Sequence, residues 1–387
     1  MMVQTTSRFF LLIVFAAAAA PAQPLPADSV RGEKLFELER CIECHSVNGK
    51  GAHTAPDLGR SLDRDFSPAS LTSTMWNHAP TMWSAMRARN MQASNVDDQA
   101  AADLFAYFYA ARFFEKPGDA GRGKRLFTER SCARCHGLTE AVLTDIKPDI
   151  KPAAKPVNQW QALGDPIALT EAMWNHSSSM GFAELRRGIK LPELSGQDVT
   201  DILVYLRNLN AANAIARTFR ITSGAKGKSL FETKGCAACH RTGESSITWR
   251  LTGKTLTDIA ARSWDHGLRN PAATVHLEPG EMREIVSYVW AQQFFQSSGD
   301  AERGKRAFSA KHCASCHDEG LKGAPSLARN TRDASEVTMV SALWRHGPTM
   351  LALMSERKIP WPRFNAKEMS DLIAYLNTRK PNEQLRK

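Results

Sequence analysis

The pentapeptide Cys-x-x-Cys-His occurs four times in this chain, as Cys41-Ile-Glu-Cys44-His45, Cys132-Ala-Arg-Cys135-His136, Cys236-Ala-Ala-Cys239-His240 and Cys313-Ala-Ser-Cys316-His317. All eight cysteines fall within these motifs. The pattern reads as a c-type haem attachment site. Two thiols at this spacing reach the two vinyl groups of one macrocycle, and the next residue turns an imidazole under the ring towards the iron. Other uses of the pattern fit worse. A zinc ribbon brings two such hooks together within about 20 residues, whereas these begin at Cys41, Cys132, Cys236 and Cys313. A thioredoxin-like dithiol needs a βαβ pattern that the sequence lacks. Four covalent haems are therefore expected, and they dictate much of the interior.

The amino terminus has the pattern of a leader. Arg8 precedes an apolar run from Phe9 to Ala20, and Ala20-Pro21-Ala22 offers small residues for cleavage. Residues 1–22 read as a secretory signal peptide. The run is shorter than the roughly 20 residues that span a bilayer, and no other segment reaches that length. A periplasmic chain that does not span the membrane after cleavage is expected, which agrees with covalent haem attachment.

Around the motifs the sequence repeats. Gly32, Gly123, Gly227 and Gly304 stand nine residues before each first cysteine, and Phe36, Phe127, Phe231 and Phe308 follow four residues after each glycine. Downstream come Trp76-Asn-His78, Trp174-Asn-His176, Trp264-Asp-His266 and Trp344-Arg-His346. Met82, Met180 and Met350 follow three of those histidines, and Asn270 stands at the fourth such position. Tyr107, Tyr205, Tyr288 and Tyr375 close the repeats, with the third repeat seven residues shorter between histidine and tyrosine. Four homologous units follow from this periodicity: 28–116, 117–220, 221–298 and 299–387, after the leader at 1–22. Units so small gain a needed apolar interior from the haem. Similar linkers, Phe113 to Arg125 and Phe294 to Arg306, join units 1 to 2 and 3 to 4. They imply a duplicated dihaem module, each pair docked through a short connection. The stretch Ile146 to Val157 reads as an exposed Pro/Lys-rich insertion in unit 2.

Secondary structure should be all-α. Ser195 with Asp198, and Asn365 with Glu368, resemble helix-start boxes. Val199, Ile202, Leu203 and Leu206 then keep helical spacing, as do Met369, Leu372, Ile373 and Leu376. The formal net charge of +10 does not call for nucleic acid. Four haems add about −4 when oxidised and −8 when reduced, if their propionates are ionised. The remaining basic groups are spread along the chain and suit solvent or an acidic redox partner.

Each unit resembles a class I c-type cytochrome domain. In that family the first and last helices cross, with a small glycine against an aromatic. The glycines and tyrosines above match those positions. The resemblance covers nearly the whole chain beyond the leader. It implies His45, His136, His240 and His317 as proximal iron ligands and a thioether as the other axial ligand. It also implies a proline carbonyl that orients the proximal histidine. Pro56 and Pro325 fit that role, unit 2 offers several prolines in its insertion, and unit 3 offers none.

For the sixth position, Met82, Met180 and Met350 lead in units 1, 2 and 4. The rivals are His78, His176 and His346, four residues earlier. Pro80 and Pro348 are expected to break the helix between rivals in units 1 and 4. In unit 3, His266 is the first choice, His276 the second, and an open iron the third. The tryptophans of the Trp-x-His element suit either the haem edge or plain core packing. The expected function is a periplasmic tetrahaem carrier, not an enzyme, relaying single electrons between redox proteins or to a respiratory complex. The alternative is a multihaem peroxidase or reductase with an open haem in unit 3.

Overall fold

The protein is described by a computed structural model over residues 27–59, 67–92, 95–111, 117–137, 155–187, 193–209, 219–222, 224–240, 254–270, 275–295, 299–318, 324–327 and 333–379. The leader at 1–22, most of the Pro/Lys-rich insertion, and parts of both shared linkers lie outside these residues.

The described chain is helical, with one small antiparallel ribbon, β1 (Ser46–Val47) against β2 (Lys50–Gly51). Unit 1 contributes α1 (Ser29–Leu38), α2 (Pro68–Ala88) and α3 (Asp98–Ala110); unit 2 contributes α4 (Ala120–Glu129), α5 (Pro166–Arg187) and α6 (Gly196–Arg207). Unit 3 contributes α7 (Gly224–Thr233), α8 (Cys236–His240), α9 (Leu256–Arg269) and α10 (Glu281–Ala291). Unit 4 contributes α11 (Ala301–Ala310), α12 (Ala314–His317), α13 (Glu336–Glu356) and α14 (Ala366–Thr378). Both expected helix-start boxes close: Ser195 with Asp198 opens α6, and Asn365 with Glu368 opens α14.

In each unit the first and last helices cross at glycine. A Cβ on Gly32 would meet the Asp103 carbonyl oxygen at 2.0 Å and the Tyr107 Cβ at 2.7 Å. Gly123 meets Tyr205, Gly227 meets Tyr288 and Gly304 meets Tyr375 in the same way, at 2.9, 2.7 and 2.7 Å. Only a residue without a side chain lets the two backbones approach so closely. The repeated phenylalanines complete the crossing: Phe36 on Tyr107, Phe127 on Tyr205, Phe231 on Tyr288 and Phe308 on Tyr375, with ring centres 5.7, 6.0, 5.7 and 5.4 Å apart. An ion pair between a surface arginine and a buried aspartate fastens three of the four crossings. Arg31 binds Asp103 at 2.8 Å, Arg303 binds Asp371 at 2.7 Å, and Arg122 binds Asp201. Unit 3 replaces it with a 4.0 Å contact between Lys226 and Glu284.

The docking of the units differs from the arrangement read from the linkers. The main helix packing between units joins α2 and α3 of unit 1 to α13 and α14 of unit 4, and α5 and α6 of unit 2 to α9 of unit 3. The partners are 1 with 4 and 2 with 3, where the linkers suggested 1 with 2 and 3 with 4. Surface complementarity decides this, not chain proximity. Trp76 Nε1 donates to Pro362 O (2.9 Å), and Asn77 makes a two-way bond with the Phe364 backbone (2.7 and 2.9 Å). The same pattern recurs in the other pair. Trp174 Nε1 donates to Val275 O (2.7 Å), and Asn175 bonds Leu277 both ways (2.7 and 2.9 Å). Each interface still joins an odd unit to an even one, but the partner comes from the other half of the chain. Units 1 and 3 also touch. Tyr109 packs on Trp290 at 4.5 Å between ring centres and accepts from Leu256 N at 2.9 Å.

The helix between the rival ligands is not broken. α2 runs unbroken through Pro80, and α13 through Pro348. Proline removes the N–H that would bond the carbonyl four residues earlier. In α2 that carbonyl belongs to Trp76, and it accepts instead from Trp361 Nε1 of unit 4 at 3.0 Å. The docking partner supplies the missing donor.

Candidate haem sites

Each first helix ends three residues before its first cysteine, and the residue just before that cysteine takes a left-handed turn. Arg40, Ser131, Gly235 and His312 have φ of 62°, 64°, 83° and 63°. That reversal throws the motif into a tight helical turn, in which the histidine N–H bonds the first cysteine's carbonyl. The distances are 3.0 Å for His45 to Cys41, 2.9 Å for His136 to Cys132 and 2.9 Å for His317 to Cys313. Both cysteines and the histidine then share one short piece of backbone. Burial pushes the Cys41 thiol up to about 12, and Cys132 and Cys313 to about 11; Cys236 rises for the same reason. These sulfurs stay protonated at neutral pH before any bond forms.

The motif histidines are tethered through Nδ1. His45 Nδ1 lies 2.9 Å from Pro56 O, and His317 Nδ1 lies 2.9 Å from Pro325 O. These are the two prolines that the sequence indicated. In unit 2 the carbonyl belongs to Lys155, at 3.3 Å from His136 Nδ1, and not to a proline. Trp160 braces the same ring edge-on at 5.0 Å and donates to Lys155 O at 3.0 Å. Sequence reasoning missed both residues; the only signal was Pro156, which fixes Lys155 in extended backbone. A carbonyl at Nδ1 leaves Nε2 as the free nitrogen and sets the ring's orientation.

Across from each motif histidine stands the Trp-x-His histidine. Ring centres are 6.2 Å apart for His45 and His78, 6.2 Å for His136 and His176, and 5.7 Å for His240 and His266. In unit 4, His346 lies close enough to His317 to feel its charge. Burial is the first cause that lowers the pKa of His78, His176, His266 and His346, with the facing imidazole adding to it in units 1, 3 and 4. In all four this favours the neutral form that can ligate a metal.

Met82 and Met350 pack, half-buried, against the larger apolar core, and Met180 against the smaller one around α6. Each is one turn beyond its histidine on a continuous helix. In unit 3 that turn does not exist. α9 ends at Arg269, and Asn270 caps it by donating its backbone N–H to His266 O at 3.0 Å. The Asn270 side chain lies 3.3 Å from His266 Nδ1. His276 is exposed and 3.8 Å from Glu278, and it does not face His240 as His266 does. Two of the four tryptophans are docking residues: Trp76 and Trp174 use their indole N–H on the neighbouring unit, as described above, while Trp264 and Trp344 are buried in the apolar cores.

The donor set, two thiols and a tethered imidazole on one turn with a second imidazole opposite, suits a covalently held haem. Comparisons with known proteins agree. The family model described as Cytochrome c matches residues 29–109, 120–210 and 301–380. The Cbb3-type cytochrome c oxidase subunit FixP of Rhizobium etli is 32% identical over 202 residues, covering 43% of this chain and 67% of that protein. The Cbb3-type cytochrome c oxidase subunit FixPc of Rhizobium leguminosarum bv. viciae is 31% identical over 188 residues, 41% of this chain and 61% of its own. A nitric oxide reductase subunit of Stutzerimonas stutzeri is 34% identical over 77 residues, 18% of this chain and 53% of its own. The chain thus spans about half to two thirds of the length of these relatives. No solved structure matches it. No helix among the described residues is long and apolar enough to cross a membrane. The family match extends over well more than half of the sequence, and four Cys-x-x-Cys-His turns agree with it: the chain belongs to the cytochrome c family, binds haem c covalently, and works by haem-based electron transfer.

Proposed function

We propose that this protein is a periplasmic tetrahaem relay that passes single electrons between redox proteins, one of them a membrane respiratory complex. Haem is attached through Cys41 and Cys44, Cys132 and Cys135, Cys236 and Cys239, and Cys313 and Cys316. His45, His136, His240 and His317 are the proximal ligands. The observation that carries the reading is the fourfold repetition of one motif turn with a second imidazole opposite it in units 1, 2 and 3. When bound, haem supplies a one-electron iron couple; the chain's residues hold it, orient its ligands and exclude water. Unit 1 packs on units 4 and 3, and unit 3 on unit 2, so each haem-binding unit has another as its neighbour. Relatives named as subunits of a cytochrome c oxidase and a nitric oxide reductase support a respiratory partner.

A peroxidase or reductase with an open haem in unit 3 receives less support, because His266 faces His240 at 5.7 Å. The test is stopped-flow mixing of the reduced protein with a membrane oxidase, and separately with peroxide. The relay reading expects fast oxidation by the oxidase and none by peroxide. Turnover of peroxide with a reduced donor would reverse it.

A further inference from the structure

We infer that the sixth iron ligand in every unit is the histidine of the Trp-x-His element, His78, His176, His266 and His346, and that Met82, Met180 and Met350 do not bind iron. This rests on the haem reading above and adds the ligand that sets the potential of each site.

Four observations carry it. The first is distance. Metal–imidazole bonds run about 2 Å, and the ring centre lies about 1 Å beyond the nitrogen, so one metal between two imidazoles sets the ring centres roughly 6 Å apart. The observed separations are 6.2, 6.2 and 5.7 Å. The second is aim. Carbonyls of Pro56, Lys155 and Pro325 hold Nδ1 of His45, His136 and His317, so Nε2 is the nitrogen left for the metal. The third is the continuity of α2 and α13 through Pro80 and Pro348. With no break, histidine and methionine cannot change places, and the methionine lies four residues, about 6 Å, further along the helix. Met82, Met180 and Met350 are instead packed against apolar cores.

The fourth observation is unit 3, where the methionine is absent and the facing histidine remains. Asn270 occupies the methionine position and ends α9. Its amide nitrogen bonds the His266 backbone carbonyl at 3.2 Å, and the position carries no thioether. The unit that departs from the others in sequence therefore keeps the same pair of facing imidazoles.

The experiment uses the mature holoprotein, oxidised, with near-infrared and EPR spectra and intact mass measured on the same sample. The expected result is four covalent haems, only low-spin signals of imidazole pairs, and no sulfur-to-iron charge-transfer band. A triple variant Met82→Leu, Met180→Leu and Met350→Leu should leave that spectrum unchanged. His78→Ala should turn one haem of the four high-spin without loss of haem mass, and added imidazole should restore it. A charge-transfer band in the wild type that disappears in the triple variant would overturn the inference, as would a fully low-spin His78→Ala protein. The two readings fail differently: fewer than four haems by mass defeats the haem assignment, whereas four haems with a thioether band defeats only the ligand assignment.

Discussion

Before each first cysteine the backbone bends into the left-handed region, and three of the four residues there are not glycine: Arg40, Ser131 and His312. A side chain in that region costs about 1–2 kcal/mol. Gly235 alone escapes this, and nothing lies within 4 Å of where its Cβ would be. Gly235→Ala should therefore cost about 1 kcal/mol through conformation only, with haem spectra unchanged. Gly304→Ala should cost more, about 3 kcal/mol, because its Cβ would meet the Asp371 carbonyl oxygen at 1.9 Å. Thermal unfolding of both variants checks the contrast; equal losses would contradict it. The crossing glycines were legible because they recur at one spacing. The left-handed residues were not, since Arg40, Ser131, Gly235 and His312 share no side-chain chemistry. Lys155 was hidden for a similar reason: it acts through its backbone carbonyl, which no residue identity records.

At the scale of helices, α2 depends on a neighbouring unit for one of its own hydrogen bonds. Trp361→Phe leaves the Trp76 carbonyl without the indole donor and should cost about 1–3 kcal/mol. In a Pro80→Ala background the restored backbone N–H can satisfy that carbonyl, so the same substitution should cost distinctly less. Denaturant unfolding of the four proteins in a double-mutant cycle measures the difference. Sequence alone reads Pro80 as a break because the compensating tryptophan lies in another unit. The start of α13 holds a second dependence. Glu336 is 4% exposed, its Oε2 has no hydrogen-bond partner, and burial pushes its carboxyl up to about 8. The folded protein thus binds a proton that the unfolded chain releases near pH ~4.3. Stability from this group is complete below that pH and is lost as pH rises through about 8. Glu336→Gln should flatten the decline in melting temperature between about pH 5 and 8; an unchanged slope would contradict it.

Over the whole molecule, a small residue beside one Trp-x-His histidine lets two units dock. Gly347 follows His346, and a Cβ there would lie 2.1 Å from the Trp83 ring of unit 1. Gly347→Val should weaken the contact between units 1 and 4 by about 1–3 kcal/mol and alter tryptophan fluorescence, while intact mass still shows four haems. The repeat count, the all-helical class and the glycine–tyrosine crossings were readable from periodicity. The pairing of units was not, because linkers report what is near along the chain, whereas docking follows Trp76-Asn77 and Trp174-Asn175 and the segments they bond. The histidine opposite each motif was visible as a repeated residue, but its rivalry with methionine could be weighed only once both stood on unbroken helices. Coulometric spectroelectrochemical titration of the mature protein tests the central claim most directly. The account predicts four electrons taken up per chain, all at potentials typical of imidazole-pair haems, below those of thioether-ligated ones. Uptake of three electrons or fewer by fully matured protein would contradict it.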